Sequence, residues 1–372
     1  MSRLALLAAT AVLIIHGLIH LMGFVAYWPL AELAELPYKT TLLGGRWVVG
    51  AAGMRVYGVV WLLTAVGFVA AAVGLLTGQA WQLPLLGAAV ILSLLVTSLD
   101  WSHAFRGTLI SLVILVPVLL AWGLRVQPQP FPAYPEATPA LTAVALPDDL
   151  PDPVARYYET VMGENVPVVE TAVVSGRGRL RVNGITFPAR FRFTYDAGEG
   201  YRHYIKATFF GYPLMTVNEW YLDGRARLEL PFGVVENEPK VDMAANLGLW
   251  GESIWLPSVF ITDARVRWEG VDATTARLMV PFEDTEDVFT VSFDSETGRI
   301  SAMEAMRYRD AADATKTLWH NETLGWQTFH GVEIPAHAAT TWMDEATPWA
   351  IWTVEDVVYN VDVADAIRAA GR

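Results

Sequence analysis

The chain has 372 residues, 53% of them hydrophobic and 17% charged. With a mean hydropathy of +0.33 it is too apolar for an ordinary soluble protein of this length, and a membrane unit is expected. It contains no cysteine, which excludes disulfides, thiolate metal sites and cysteine nucleophiles. The net charge of -13 is uneven: residues 1–126 hold six basic and three acidic side chains, the remainder 20 basic and 36 acidic. A domain that acidic repels phosphate backbones, which argues against nucleic-acid partners.

Four segments are long and apolar enough to span a bilayer: about Leu4–Trp28, Arg55–Thr77, Leu83–Leu99 and Thr108–Leu124. The apolar run of the first exceeds a signal-peptide core of roughly 7–15 residues and holds two histidines, so it reads as a retained helix. Lys39, Arg46, Arg55 and Arg106 fall on one side of this unit, Arg3 and Arg125 on the other. Basic residues accumulate on the cytoplasmic side, so both termini are expected outside. That places the carboxyl-terminal domain on the extracytoplasmic face of the membrane.

The ionisable residues of the unit are few. His16 and His20, four apart, share one face of the first helix; Arg55 opens the second; Asp100, His103 and Arg106 cluster where the third meets the fourth. As interhelical hydrogen-bonding groups they form a polar seam that holds a bundle together in lipid, and this is the preferred reading. As a site, His16, His20, His103 and Asp100 are ligand types for Zn or Fe, or could surround a quinone-like molecule. Haem is disfavoured by geometry. Two histidines four apart on one helix cannot bind opposite faces of one haem, which leaves His103 alone to supply the second side. No cofactor is expected.

From Gln127 to Pro153 the chain is dense in proline, a composition that favours extended backbone and a semi-rigid spacer. It separates a four-helix unit at 1–126 from a domain at 154–372. Asp152 and Pro153 open a short helix that runs to Met162. The pattern then turns to strands: Arg177–Arg181 leads through the Asn183-Gly184 turn into Phe187–Tyr195, a strong hairpin signal because that turn needs positive φ at both central residues. Further strands are expected at Tyr201–Phe209, Leu214–Leu222, Ala226–Leu230, Arg265–Trp268, Thr274–Val280, Val288–Asp294, Arg299–Tyr308, Lys316–Gln327, Ala338–Trp342 and Trp349–Val361. Lys240–Leu256 interrupts them with a helical pattern. The expected fold is four transmembrane helices followed by a curved, half-barrel-like antiparallel sheet with one or two short helices.

Trp220, Trp255, Trp268, Trp319 and Trp342 stand among many other aromatic residues of this domain. Rings that fill the core under a curved sheet account for them most simply. The functional alternative is an apolar cavity, lined by these five, for a lipid; a protein-docking face is the third reading. For catalysis, His203, His320, His330 and His337 are scattered without ligand spacing. Ser175, Ser253, Ser258 and Ser301 sit in no nucleophile elbow. Glu219, Glu252, Asp310 and Glu322 become pocket carboxylates only if the fold brings them together. No phosphate-binding, calcium or metalloprotease motif is present, and no catalytic residue is assigned.

Ile15–Phe24, Glu252–Pro257, Val266–Trp268, Arg307–Arg309, Gly331–Pro335 and Trp342 resemble a bacterial family of membrane-associated proteins whose shared domain has no assigned function. The resemblance covers the first helix and most of the carboxyl-terminal domain, and it implies no catalytic residue. The family's β domain is similar in outline to the curved sheets of lipoprotein-carrier and lipid-binding periplasmic proteins, which by fold analogy implies an apolar ligand. The expected function is therefore a non-enzymatic, membrane-anchored protein whose β domain binds a lipid or other apolar ligand. The alternatives are an accessory subunit of a larger membrane complex and an intramembrane metal or redox site at His16, His20 and His103.

Overall fold

The computed structural model describes residues 3–345 and 347–369. The chain divides into two compact units, Met1–Arg125 and Val126–Arg372. The first consists of α1 (Arg3–Tyr27), α2 (Gly50–Leu76), α3 (Gln82–Leu99) and α4 (Trp101–Gly123), with a minimal pair of two-residue strands, β1 (Thr41–Leu42) and β2 (Trp47–Val48), between α1 and α2. All four helices are long and apolar enough to cross a membrane. α4 begins seven residues before the apolar run at Thr108. Only Asp100, with φ -111° and ψ 39°, separates it from α3, so the polar stretch Ser102–Arg106 is its first turns and not a loop.

Each helix packs on its neighbour in sequence. The α1–α2 contact depends on small residues: a Cβ on Gly23 would come within 2.1 Å of the Trp61 ring, and one on Gly17 within 2.9 Å of Phe68. Such positions let two helices approach closely.

The second unit starts with β3 (Ala143–Ala145), α5 (Asp152–Val161) and β4 (Asn165–Pro167). Six strands follow: β5 (Thr171–Val182), β6 (Ile185–Asp196), β7 (Gly200–Phe209), β8 (Tyr212–Leu222), β9 (Arg225–Leu230) and β10 (Gly233–Glu236). After α6 (Pro239–Glu252) and α7 (Val259–Thr262) come β11 (Arg267–Asp272), β12 (Thr275–Phe282), β13 (Thr285–Phe293), β14 (Ile300–Arg307), β15 (Thr317–Phe329), β16 (Val332–Trp342) and β17 (Ala350–Tyr359), then α8 (Ala364–Arg368). Strands β5 to β17 form one curved, fully antiparallel sheet of 13 strands in the order β10-β9-β8-β7-β6-β5-β17-β16-β15-β14-β13-β12-β11. It is two meanders joined where the last strand meets the first, and it does not close, since β10 and β11 are its outer edges.

The Asn183-Gly184 and Asp223-Gly224 turns adopt positive φ at both residues, as their composition predicts. Phe210-Gly211 and His330-Gly331 turn in the same way. Their first residues carry no turn signal, and so β16 starts at Val332, six residues before the expected Ala338. The proline-rich segment lies along this unit: the Pro128 carbonyl accepts from Arg190 Nε at 2.9 Å, Tyr134 donates to the Asp362 carbonyl at 2.9 Å, and Thr138 accepts from the Tyr359 amide at 3.0 Å.

The core lies on the inner face of the sheet. Phe191, Phe193 and Tyr195 of β6, Phe289, Val291 and Phe293 of β13, and Trp352, Val354 and Tyr359 of β17 join Tyr157 and Tyr158 of α5, Trp250 of α6 and Phe260 of α7 in one buried cluster. At the β5–β17 seam, a Cβ on Gly176 would sit 2.0 Å from the Thr353 carbonyl oxygen and 2.8 Å from the Phe191 ring. Gly176→Val is expected to destabilise the chain by about 1–3 kcal/mol through overpacking. The measurement is thermal unfolding of the detergent-solubilised chain, followed by near-ultraviolet circular dichroism, and an unchanged midpoint would show that the seam yields without cost.

Candidate functional site

In the four-helix unit the four predicted ligands belong to two hydrogen-bonded groups. His16 and His20 lie with ring centroids 4.7 Å apart. His16 Nε2 is 3.0 Å from Ser111 Oγ of α4, His20 Nε2 is 2.7 Å from Ser93 Oγ of α3, and the two serines are 2.6 Å apart. His20 Nδ1 is 2.8 Å from the His16 carbonyl oxygen. Asp100, buried at the α3–α4 break, accepts from Tyr27 of α1 and from Lys39. His103 Nδ1 lies 3.3 Å from Asp100 and 3.1 Å from Lys39 Nζ. Among the described residues, no three His, Asp or Glu side chains converge in a metal-binding arrangement. A cavity of about 490 Å³ joins the two groups, with His16, His20, Trp61, Thr97, His103 and Arg106 in its wall.

The five predicted tryptophans of the sheet unit separate. Trp220 of β8 is sandwiched between Arg202 and Arg227, whose guanidinium carbons stand 4.8 and 5.2 Å from its ring centre. Trp268 packs on Phe260 and donates to that residue's carbonyl at 3.1 Å. Trp319 and Trp342 face each other across β15 and β16, and Arg307 lies over both rings. Trp255, in the helical turn after α6, donates to the Pro335 carbonyl at 3.0 Å and stacks 6.4 Å from Phe191. Trp255 also lines a small inner cavity of about 40 Å³ with Glu252, Met303, Asn321, Thr340 and Trp352.

The fold also assembles a polar cluster from residues that look unrelated in sequence. Strand register places His203 of β7 beside Phe193 of β6 and Glu219 of β8, and Tyr201 beside Tyr195 and Tyr221. Glu252, the last residue of α6, descends onto these rows: its Oε2 is 2.7 Å from His203 Nε2 and accepts from Tyr195 at 2.7 Å. Glu219 accepts from Tyr201, and its other oxygen lies 4.0 Å from His203 Nδ1. Burial, and after it the neighbouring carboxylate, pushes the Tyr195 and Tyr201 phenols well above their usual range, so both remain donors. Of the four candidate carboxylates, Glu219 and Glu252 thus flank one imidazole. The only sequence-level signal was Glu252, which lies within the resembling stretch Glu252–Pro257; His203 and Glu219 become neighbours only through strand register.

Two groups on the inner face of β15 are unusual. Trp319 Nε1 and Asn321 Nδ2, two residues apart and therefore on one side of the strand, are both buried without a hydrogen-bond partner in the protein. Buried donors are nearly always paired, and Asn321 borders the small cavity below Trp255.

Residues 139–354, more than half of the chain, match DUF6544, a family of unknown function. The chain belongs to the DUF6544 family. The DUF6544 match begins in the proline-rich segment and ends within β17, so it contains the His203 cluster, α6 and the unpaired donors of β15. No curated protein matches the chain. Among solved structures, a LolA superfamily protein from Nitrosomonas europaea is similar at 9% identity and a TM-score of 0.36, over 58% of this chain and 94% of that one. A putative outer membrane lipoprotein-sorting protein domain from Vibrio parahaemolyticus aligns at 9% identity and TM-score 0.33, over 52% and 88%. A DUF1329 family protein from Desulfovibrio piger aligns at 12% identity and TM-score 0.32, over 53% and 89%.

In this DUF6544 chain α6 is pinned to both halves of the sheet. Asp242 accepts from Arg225 and from the Ala226 amide on β9; Asn246 accepts from Tyr221 at 3.4 Å and donates to the Pro281 carbonyl and to Asp287 at 3.1 and 3.0 Å. Burial raises the Asp287 carboxyl above its usual value, against a smaller opposing effect of the Asn246 bond. A raised folded-state value means that the folded chain holds this proton longer than the unfolded chain, so stability falls as pH rises from the usual carboxylate range through the folded value. Asp287→Asn is therefore expected to raise the unfolding midpoint at pH 7, and the advantage should vanish below the usual carboxylate range. Unfolding curves at the two pH values check this; a variant less stable than wild type at pH 7 would contradict it.

Proposed function

We propose that the chain is a non-enzymatic, membrane-anchored binding protein, whose four apolar helices sit in the bilayer and whose sheet unit, on the extracytoplasmic side, takes up a lipid. The observation that carries this reading is the pair of unpaired buried donors, Trp319 Nε1 and Asn321 Nδ2, on an inner face that is largely apolar and aromatic, with Glu252, Thr323 and Thr340 as the polar groups beside Asn321. A ligand that satisfies them presents acceptors and no charge while its remainder occupies apolar space, the description of an acyl ester.

The 40 Å³ cavity at this point is too small for an acyl chain, so uptake requires the α6–α7 segment to move aside. Like α5, that segment covers the inner face without being strand, and its residues Gly251, Glu252 and Trp255 border the cavity. Its sheet contacts at the carboxyl end run through Glu252 to His203 and Tyr195, groups that can re-form bonds with water when the helix lifts. At one end of the sheet, Gly211 lies against Val126 and Pro128, so the chain enters the unit there. Tyr212, the first residue of β8, and Phe232, in the turn between β9 and β10, are 77% and 90% exposed.

The test is photocrosslinking of the full chain in liposomes containing a phosphatidylethanolamine with a diazirine in its acyl chain. Cross-linked peptides from β14, β15 or α6–α7 are expected, with fewer after Asn321→Leu; cross-links confined to α1–α4 would overturn the reading. The exposed apolar residues Tyr212, Leu214, Phe232 and Val234 favour a second reading, docking on a larger membrane complex. On that reading Tyr212→Ser with Phe232→Ser should release a defined partner in mild-detergent purification, and recovery of monomer from both wild type and variant counts against it.

A further inference from the structure

The cavity within the four-helix unit stands apart from the sheet and needs its own account. One end of the hydrogen-bond chain beside it is fixed, because the His16 carbonyl oxygen only accepts and His20 Nδ1 must therefore carry a proton. With no carboxylate bonded to either ring, both imidazoles are neutral, and His20 Nε2 is a bare acceptor that takes the Ser93 proton. Ser93 has then spent its one proton, so Ser111 donates to Ser93. Ser111 in turn has none left for His16. His16 Nε2 therefore donates to Ser111, which leaves His16 Nδ1 as a lone-pair acceptor.

That acceptor has no partner in the protein, although His16 is only 2% exposed. Inside a bilayer no water is at hand to supply the missing proton. His16 is nevertheless a wall residue of the 490 Å³ cavity, a volume in the range of small-molecule sites; because Nδ1 itself is covered, a head group in the cavity reaches it only when the ring turns slightly toward that space. α1 and α4 supply most of the cavity wall, joined by Trp61 of α2, Thr97 of α3 and Glu35 and Leu36 of the connection between α1 and α2. Arg106, also in its wall, lies five residues before Ser111 on α4, about 7.5 Å of helical rise.

We infer that this cavity binds an amphiphile whose head donates a hydroxyl proton to His16. Phenols, quinols and lipid alcohols share that chemistry, whereas a quinone or an ether lacks it. An acceptor-only head would meet a second acceptor at His16 and leave both unpaired, so the site discriminates against it.

The test uses the full chain in dodecylmaltoside, titrated by native mass spectrometry with 4-dodecylphenol, with its methyl ether 4-dodecylanisole, and with 1,2-dioctanoylglycerol. Saturable one-to-one binding of the phenol or the glyceride is expected, roughly three- to tenfold tighter than the ether, the worth of one hydrogen bond. Whichever of the two binds more tightly identifies the phenolic or the lipid-alcohol source. In His16→Leu the preference over the ether should disappear. Equal affinity for hydroxyl compounds and ether in the wild type, or an unchanged preference in His16→Leu, would overturn the proposal. The wild-type comparison needs no variant, so it decides the matter even if His16→Leu fails to fold.

Discussion

An antiparallel sheet that curves without closing has to bury its inner face against something other than its own strands, and the architecture of the second unit follows from that constraint. β10 and β11 are the two edges of the sheet and do not pair with each other. The chain between them therefore crosses the hollow as α6 and α7. A helix surrounded by sheet must be apolar on all sides, and Ala244–Gly251 are buried without a break. Of the polar residues of α6, Asp242, Asn246 and Glu252 each meet a partner on a strand, because a buried polar group without one is costly. Since the two meanders share only the β5–β17 seam, the helix is also their second connection.

The four-helix unit shows the opposite arrangement. Its outer surface is largely apolar, and its polar groups are placed in the interior. α1 supplies both histidines, α3 Ser93 and α4 Ser111, so the bonded chain links three helices. Glycines at 17 and 23 bring α2 close enough for Phe68 and Trp61 to pack on α1, and Phe68 lies edge-on to the His16 ring at 4.8 Å.

Much of this organisation is visible in the amino-acid sequence, and the remainder is hidden for identifiable reasons. Long apolar runs and the Asn183-Gly184 and Asp223-Gly224 pairs mark helices and hairpins through strictly local physics. The start of α4 is hidden because Asp100 breaks the helix with a single residue, and polar side chains at a helix end look like loop. Phe210 and His330 occupy turn positions that side-chain type does not announce. The histidine pair His16/His20 is legible from helical periodicity, but its serine partners are 95 and 73 residues away. Likewise, no spacing rule connects His203 with Glu252, since the link between them is the path of α6 back across the sheet. The tryptophans share a composition but not a place: Trp220 is held by arginines, whereas Trp255 and Trp319 are core.

The serine bridge between the two imidazoles has one more property. With both rings neutral its protons have one self-consistent arrangement, in which every donor points from His16 toward His20 and the His16 carbonyl closes the row at His20 Nδ1. Each of α1, α3 and α4 therefore gives one bond and takes one, so the row is a ring with a single hand. The loss of either serine would unpair a group on each of the other two helices at once.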